Sequence, residues 1–257
     1  MEPWLTALLV TLLSGGMTAV GAAPVLIGWQ PSERNTNALL GFAAGVMLAA
    51  AFFSLIVPAL ELAEQQYQHA IIPPAIAVAG ILLGSFLIAG IDYAVPHEHF
   101  VKGAEGPEVQ RISRLWLFII AITIHNIPEG LAVGITAGGG DADATAAIAT
   151  GIGLQNVPEG LAVALALLAL GYSPWRSFYI AALTGAVEPV GGAIGGWFVG
   201  HAEWFLPWGL LVSAGAMIYV ISHEIIPETH RQGHHSRASI GLMLGLVVML
   251  FLDVWLG

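Results

Sequence analysis

The sequence predicts an all-α polytopic membrane protein, one transmembrane domain over residues 1–257 built as a bundle of eight helices. Three observations predict it. Hydrophobic residues make up 57% of the chain and charged residues only 9%, whereas a soluble domain carries roughly a quarter charged residues; mean hydropathy is +0.81. Apolar runs of about 20 residues, enough to cross a bilayer, recur at roughly 4–27, 38–61, 71–95, 115–137, 144–170, 177–199, 205–228 and 239–256. All seven Lys and Arg residues fall on one side of the membrane if the chain crosses eight times.

Span 1 opens "MEPWL", with an acid and no basic residue. A secretory signal wants a basic start, so the span reads as a helix of the mature protein. Span 2 carries "GFAAG", small residues that let another helix come close, and places Met47, Ser54 and Glu61 seven apart, on nearly one face. Ordinary packing is the commoner fate of a membrane methionine such as Met47, and Glu61 lies near an outward end where water solvates it. Span 3 closes in "IDYAVPHEHF", bringing Asp92, His97, Glu98 and His99 to the inner side.

Spans 4 and 5 hold "IHNIPEGLAV" (124–133) and "LQNVPEGLAV" (154–163), nearly the same stretch twice. Span 6 holds "GAVEPVGGAIGG", with Glu188 ahead of a proline, and span 7 ends "SHEIIPETH", with His223, Glu224 and Glu228. Before span 8, His230, His234 and His235 read as a loose, solvated metal-collecting tract. His69 and His201 read as surface histidines.

Orientation rests on the basic residues. Arg34 lies between spans 1 and 2; Lys102, Arg111 and Arg114 between 3 and 4; Arg176 between 5 and 6; Arg231 and Arg237 between 7 and 8. The opposite side has both termini and the loops near Gln66, Gly139 and Glu203. The positive-inside rule puts both termini outside the cytoplasm. Outward loops such as "GGGDADA" are acidic, which draws cations weakly. With no cysteine, disulfides and thiolate metal sites are excluded.

The repeated stretch carries the chemistry. Residues four apart share a helix face, so His125 pairs with Glu129 and Gln155 with Glu159. A short outward loop makes spans 4 and 5 antiparallel neighbours, so the two motifs face each other near the membrane centre. Pro128 and Pro158 each remove a backbone N–H and free a carbonyl four residues earlier, which in lipid must find a partner; a pair of broken helices is the expectation. A carboxylate at the bilayer centre costs about 2.5–3.5 kcal/mol even on lenient scales, and close carboxylates repel unless a proton or cation sits between them. Glu129, Glu159 and Glu188 have no buried Lys or Arg, which leaves a metal cation as counter-charge. Imidazole with carboxylate suits zinc and its first-row neighbours. The bland alternative, hydrogen bonding between helices, explains a lone Asn or Gln well and three glutamates poorly.

"HNIPEG", "QNVPEG" and the span-6 glutamate, within eight spans with both ends outside, resemble the ZIP (Zrt/Irt-like) family of metal transporters, in particular its bacterial GufA-type members. The resemblance covers essentially the whole chain. It implies a multi-pass protein of the bacterial inner membrane that moves Zn²⁺, and often Cd²⁺, Fe²⁺ or Mn²⁺, into the cytoplasm through a central one- or two-metal site. The first metal would be held by His125, Glu129, Gln155 and Glu159. The second would be held by Asn126, Asn156 and Glu188, with Glu129 and Glu159 bridging. Relatives often have aspartate where this chain has Asn156, which weakens the second position. The resemblance also sets Met47, Ser54 and Glu61 on the outward side of the path and an exit near Asp92, His97, His99, His223 and Glu224. It implies two sub-bundles that rock against each other. The expected partners are divalent metal ions, membrane lipid and a second copy in a homodimer, with no nucleic acid.

No enzyme and no catalytic cofactor is expected. An intramembrane metalloprotease would want H-E-x-x-H, and Val101 and Pro227 stand where the second histidine should be. A metal-selective channel or an exporter of the same ions remains the rival reading.

Overall fold

The computed structural model describes residues 2–94, 97–99, 103–105, 114–169, 171–202, 204–227 and 235–256. Helix α1 (Pro3–Ala22) starts on a proline whose fixed φ suits a first helical turn, and tightens into a 3₁₀ turn at Ala23–Ile27. Helix α2 (Glu33–Ala49) passes through a π-helical segment, Ala50–Ile56, into α3 (Val57–Gln66). Helix α4 (Ile72–Ala94) leads to two three-residue strands, β1 (His97–His99) and β2 (Gly103–Glu105), paired antiparallel with His97 opposite Glu105. These strands depart from a purely helical chain, but they lie in the connection and span nothing.

Helices α5 (Arg114–Gly139) and α6 (Ala142–Ala169) follow. Gly140, at φ 85°, ends α5 in the left-handed region. Asp141 Oδ1 then caps α6 by accepting from Asp143 N at 3.1 Å and Ala144 N at 3.0 Å. A reversal this short makes α5 and α6 antiparallel neighbours. Helices α7 (Pro174–Gly185) and α8 (Val187–His201) form the sixth span. Helix α9 (Phe205–Val220) runs into a second π segment, Ile221–Ile225, and α10 (His235–Leu256) ends the chain.

Among the described residues seven helical stretches are long and apolar enough to cross a membrane; α5, which carries the polar "HNIPEG", is not one of the seven, although it packs along α8 and against α1 and α9. The surface is inverted relative to a soluble protein. Leu13, Phe86 and Trp255 are exposed while Glu129, Gln155, Asn156 and Glu188 are fully buried. Lipid is the solvent that tolerates this arrangement.

Helices run along the apolar stretches of the sequence, but their irregularities fall elsewhere than expected. Helices α5 and α6 run unbroken through Pro128 and Pro158, so the expected pair of broken helices is corrected. A proline's own φ is helical, so losing one bond need not break a rod that is packed on its flanks. The break lies in the sixth span instead, at Ala186 (φ −69°, ψ −8°), two residues before Glu188. Both π segments end two residues short of a proline, Pro58 and Pro227, and wide turns of this kind are frequent at functional sites.

Two groups of helices emerge. Helix α1 packs on α5, α6 and α8, and α5 packs along α8. Helix α10 packs along α2, and α4 along α9. The groups meet where α2 and α10 touch α6 and where α5 touches α9. Glycines set the first group's register. Gly130, Gly134 and Gly138 of α5 lie directly against Glu188, Gly192 and Gly196 of α8, both series stepping by four. In the second motif Gly160 lies instead against the Thr18 backbone of α1. The two "PEG" glycines thus perform the same service toward different partners, allowing backbone to touch backbone.

Candidate metal centre

The polar residues converge where α1, α5, α6 and the α7–α8 break meet. Glu188 opens the first turn of α8, where the helix dipole favours an anion. Its Oε1 accepts from Asn156 Nδ2 at 2.7 Å, and its Oε2 accepts from Ser14 Oγ at 3.3 Å. The same Asn156 amide also donates to the Ser14 carbonyl at 2.9 Å, and Asn156 Oδ1 accepts from Gln155 Nε2 at 3.1 Å. Asn126 Nδ2 donates to the Thr184 carbonyl at 2.8 Å, at the end of α7 just before the break. Both asparagines therefore tie helices together, as the packing alternative required of a lone amide.

Glu129 is fully buried on α5, next to the Gly130 that lies against the Glu188 backbone. Glu159 is buried one turn beyond Gln155 on α6. Asn126 Oδ1 and Gln155 Oε1 are buried and find no hydrogen-bond donor among the described residues. Buried acceptors left without a donor cost about 1–3 kcal/mol each, which a cation would recover. His125 lies one turn before Glu129 on α5, with its side chain outside the described residues. Among the described residues no three His, Asp or Glu side chains form a metal-holding group; those brought together are carboxylates with amides.

The outlying positions divide. Met47 is fully buried in the core, and Ser54, in the first π segment, donates to Asp253 Oδ1 at 2.6 Å. Glu61 is exposed on α3, in keeping with a solvated end. His223 lies in the second π segment, its ring stacked on Tyr219 with centroids 4.9 Å apart. Asp92 lies on α4, His97 and His99 on β1 and Glu224 in the second π segment, with their side chains outside the described residues. Glu228, His230 and His234 lie outside the described residues altogether.

Sequence reasoning missed Ser14 and Asp253. Asp253 had a signal, an acid within the apolar run "FLDVWL". Ser14, in "LLSGGM", had only its place before a glycine pair.

A family model described as ZIP Zinc transporter matches residues 96–253. Zinc transporter GufA of Myxococcus xanthus is 43% identical over 250 residues, covering 97% of this chain and 98% of that protein. Zinc transporter ZIPB of Bordetella bronchiseptica is 45% identical over 243 residues, covering 93% and 78%. Human zinc transporter ZIP11 is 36% identical over 335 residues, covering 98% and 97%.

Proposed function

The chain belongs to the ZIP zinc-transporter family, and from that premise we propose that it carries Zn²⁺ into the cytoplasm through the centre between α5, α6 and α8. It is not an enzyme. The observation that carries the reading is the burial of Glu129, Glu159 and Glu188 beside amide oxygens of Asn126 and Gln155 that lack donors. Among the described residues the basic residues Arg34, Arg114, Arg176 and Arg237 all belong to helix ends, and a cation from outside supplies the charge that the buried carboxylates call for.

Zinc is held first by His125, Glu129, Gln155 and Glu159. Their mixed N/O set binds zinc without the tight closure of thiolates, which suits an ion that must leave again. A second position involves Asn126, Asn156 and Glu188, with Glu129 and Glu159 bridging. It is the weaker one, because Asn156 spends both its nitrogen and its oxygen on protein partners. Cadmium, iron and manganese share the donor preference and compete.

Met47, Ser54 and Glu61 mark the outward side of the path; Asp92, His97, His99, His223 and Glu224 mark the inward side. Both termini are extracytoplasmic, in a bacterial inner membrane, and the protein works as a homodimer. The group of α1, α5, α6 and α7–α8 carries the site, and the group of α2–α3, α4, α9 and α10 forms the frame against which it rocks.

The test is zinc flux in reconstituted vesicles. Inward transport that saturates with zinc, with cadmium competing, is the expected result. Flux only outward would identify an exporter, and unsaturable flux following the gradient alone would identify a channel.

A further inference from the structure

Three helices meet at Glu188, and one of them, α1, contributes no residue to the metal set of the preceding section. Its Ser14 nevertheless touches two members of that set. The hydroxyl donates to Glu188 Oε2 at 3.3 Å, with the Thr11 carbonyl of its own helix as the alternative acceptor at 3.4 Å, and the Ser14 carbonyl accepts from Asn156 Nδ2 at 2.9 Å, the amide that grips Glu188 Oε1 at 2.7 Å. Ser14 is 3% exposed and Glu188 fully buried, so solvent competes for neither bond. Next along α1, Gly15 is equally tied to the spot: a Cβ there would fall 2.7 Å from the Gly185 carbonyl and 3.2 Å from the Glu188 Cβ and Cδ. The glycine brings α1 to contact distance, and the serine uses that approach.

We propose that Ser14 is a positioning residue for the metal centre: α1 fixes where the Glu188 carboxylate points, through the Ser14 hydroxyl directly and through the Ser14 carbonyl by way of Asn156. The proposal rests on the reading of Glu188 as part of that centre. Donors from α1 and α6 hold both oxygens and so fix the direction of the Glu188 carboxylate. Partners that orient a ligand from behind cost roughly 10–100-fold in affinity or activity when removed. A hydroxyl that only satisfied its own helix, as Thr11 does by donating to the Ala7 carbonyl at 2.7 Å, would carry no such weight.

The side chain also borders a cavity of about 750 Å³ between α1 and the α5–α6 end, lined among others by Met17, Gly138, Ala149 and Gly153. A threonine at 14 has room there for its extra methyl while keeping the hydroxyl. Ser14→Ala and Ser14→Thr therefore separate the bond from the volume.

The experiment uses the full chain purified and reconstituted, with Zn²⁺ as the probe. Ser14→Ala should lower the initial zinc uptake rate roughly tenfold or more, and Ser14→Thr should restore it to within about twofold of native. Because the effect runs through Glu188, the double variant Ser14→Ala, Glu188→Ala should transport no worse than Glu188→Ala alone. The same four proteins, melted without metal, should show coupling between positions 14 and 188. Native-like uptake in Ser14→Ala, additive losses in the double variant, or no rescue by threonine would each overturn the proposal. Absence of coupling in the metal-free melts would overturn it independently of transport. Coupling without any zinc uptake by the native chain would instead strike at the transport reading.

Discussion

Gly130 rests its bare α-carbon on the backbone of Glu188: a Cβ there would fall 2.7 Å from the Glu188 Cα. The residue after one candidate ligand, Glu129, thus sets the position of another. Gly130→Ala must push α8 away or distort α5, at about 1–3 kcal/mol for overpacking. The expected outcome is a lower melting temperature together with weakened zinc uptake. Gly90→Ala is the control, since nothing lies within 4 Å of a Cβ there. It should leave both readings within error, because alanine is the better helix former.

In the proposed centre Glu159 is both a charged ligand and a bridge, so Glu159→Ala removes the two together. Zinc uptake should fall by at least the roughly 10–100-fold that even indirect partners cost, with membrane expression and oligomeric state retained. Glu129→Ala should behave alike. His201→Ala should be nearly silent, since that ring lies exposed at the end of α8, bonded to the Trp197 carbonyl at 2.8 Å. Near-native uptake by Glu159→Ala would remove it from the centre.

Replacing His230, His234 and His235 with serine tests the inward loop. His235 opens α10 and is exposed. If the three only gather metal that has already left the path, the uptake rate should change less than about threefold, and the preference for zinc over cadmium should hold. A tract that only collects released ions needs no preorganised geometry, and donor sets without it bind weakly. Complete loss of uptake in the triple variant would place one of them on an obligatory exit.

Much of this molecule is legible in its sequence, and the illegible part has a common cause. The spans show because lipid demands about 20 apolar residues in a row, and Glu129, Glu159 and Glu188 show because carboxylates in such runs need a reason. What the sequence hides is who faces whom. Gly130 and Gly160 occupy the same place in the same motif, yet one meets α8 and the other α1. Ser14 looks no different in sequence from Thr11, whose hydroxyl bonds back to its own helix by donating to the Ala7 carbonyl. The prolines mislead for a related reason. Pro128 and Pro158 sit in rods clamped on several sides and stay helical, whereas the break comes at Ala186.

Asn156→Asp reads the charge balance of the centre. Glu129, Glu159 and Glu188 offer three negative charges, and two dications bring four positive ones, so one negative charge is missing when both positions fill. In the native chain the Asn156 amide stands in for a cation, donating to the Glu188 carboxylate and to the Ser14 carbonyl. An aspartate presents oxygen to both. Without metal it sets acceptor against acceptor in a buried place, where each unmet group costs about 1–3 kcal/mol. The variant should therefore melt lower than native when metal-free and gain more from added zinc, since ligand binding to the folded state raises stability in proportion to occupancy. Calorimetry should find a second zinc equivalent bound distinctly more tightly than in the native chain. Uptake need not rise with affinity, because an ion held too firmly blocks those behind it. Two equivalents of equal affinity in the native protein, unchanged by the substitution, would show that the amide does not take the cation's place.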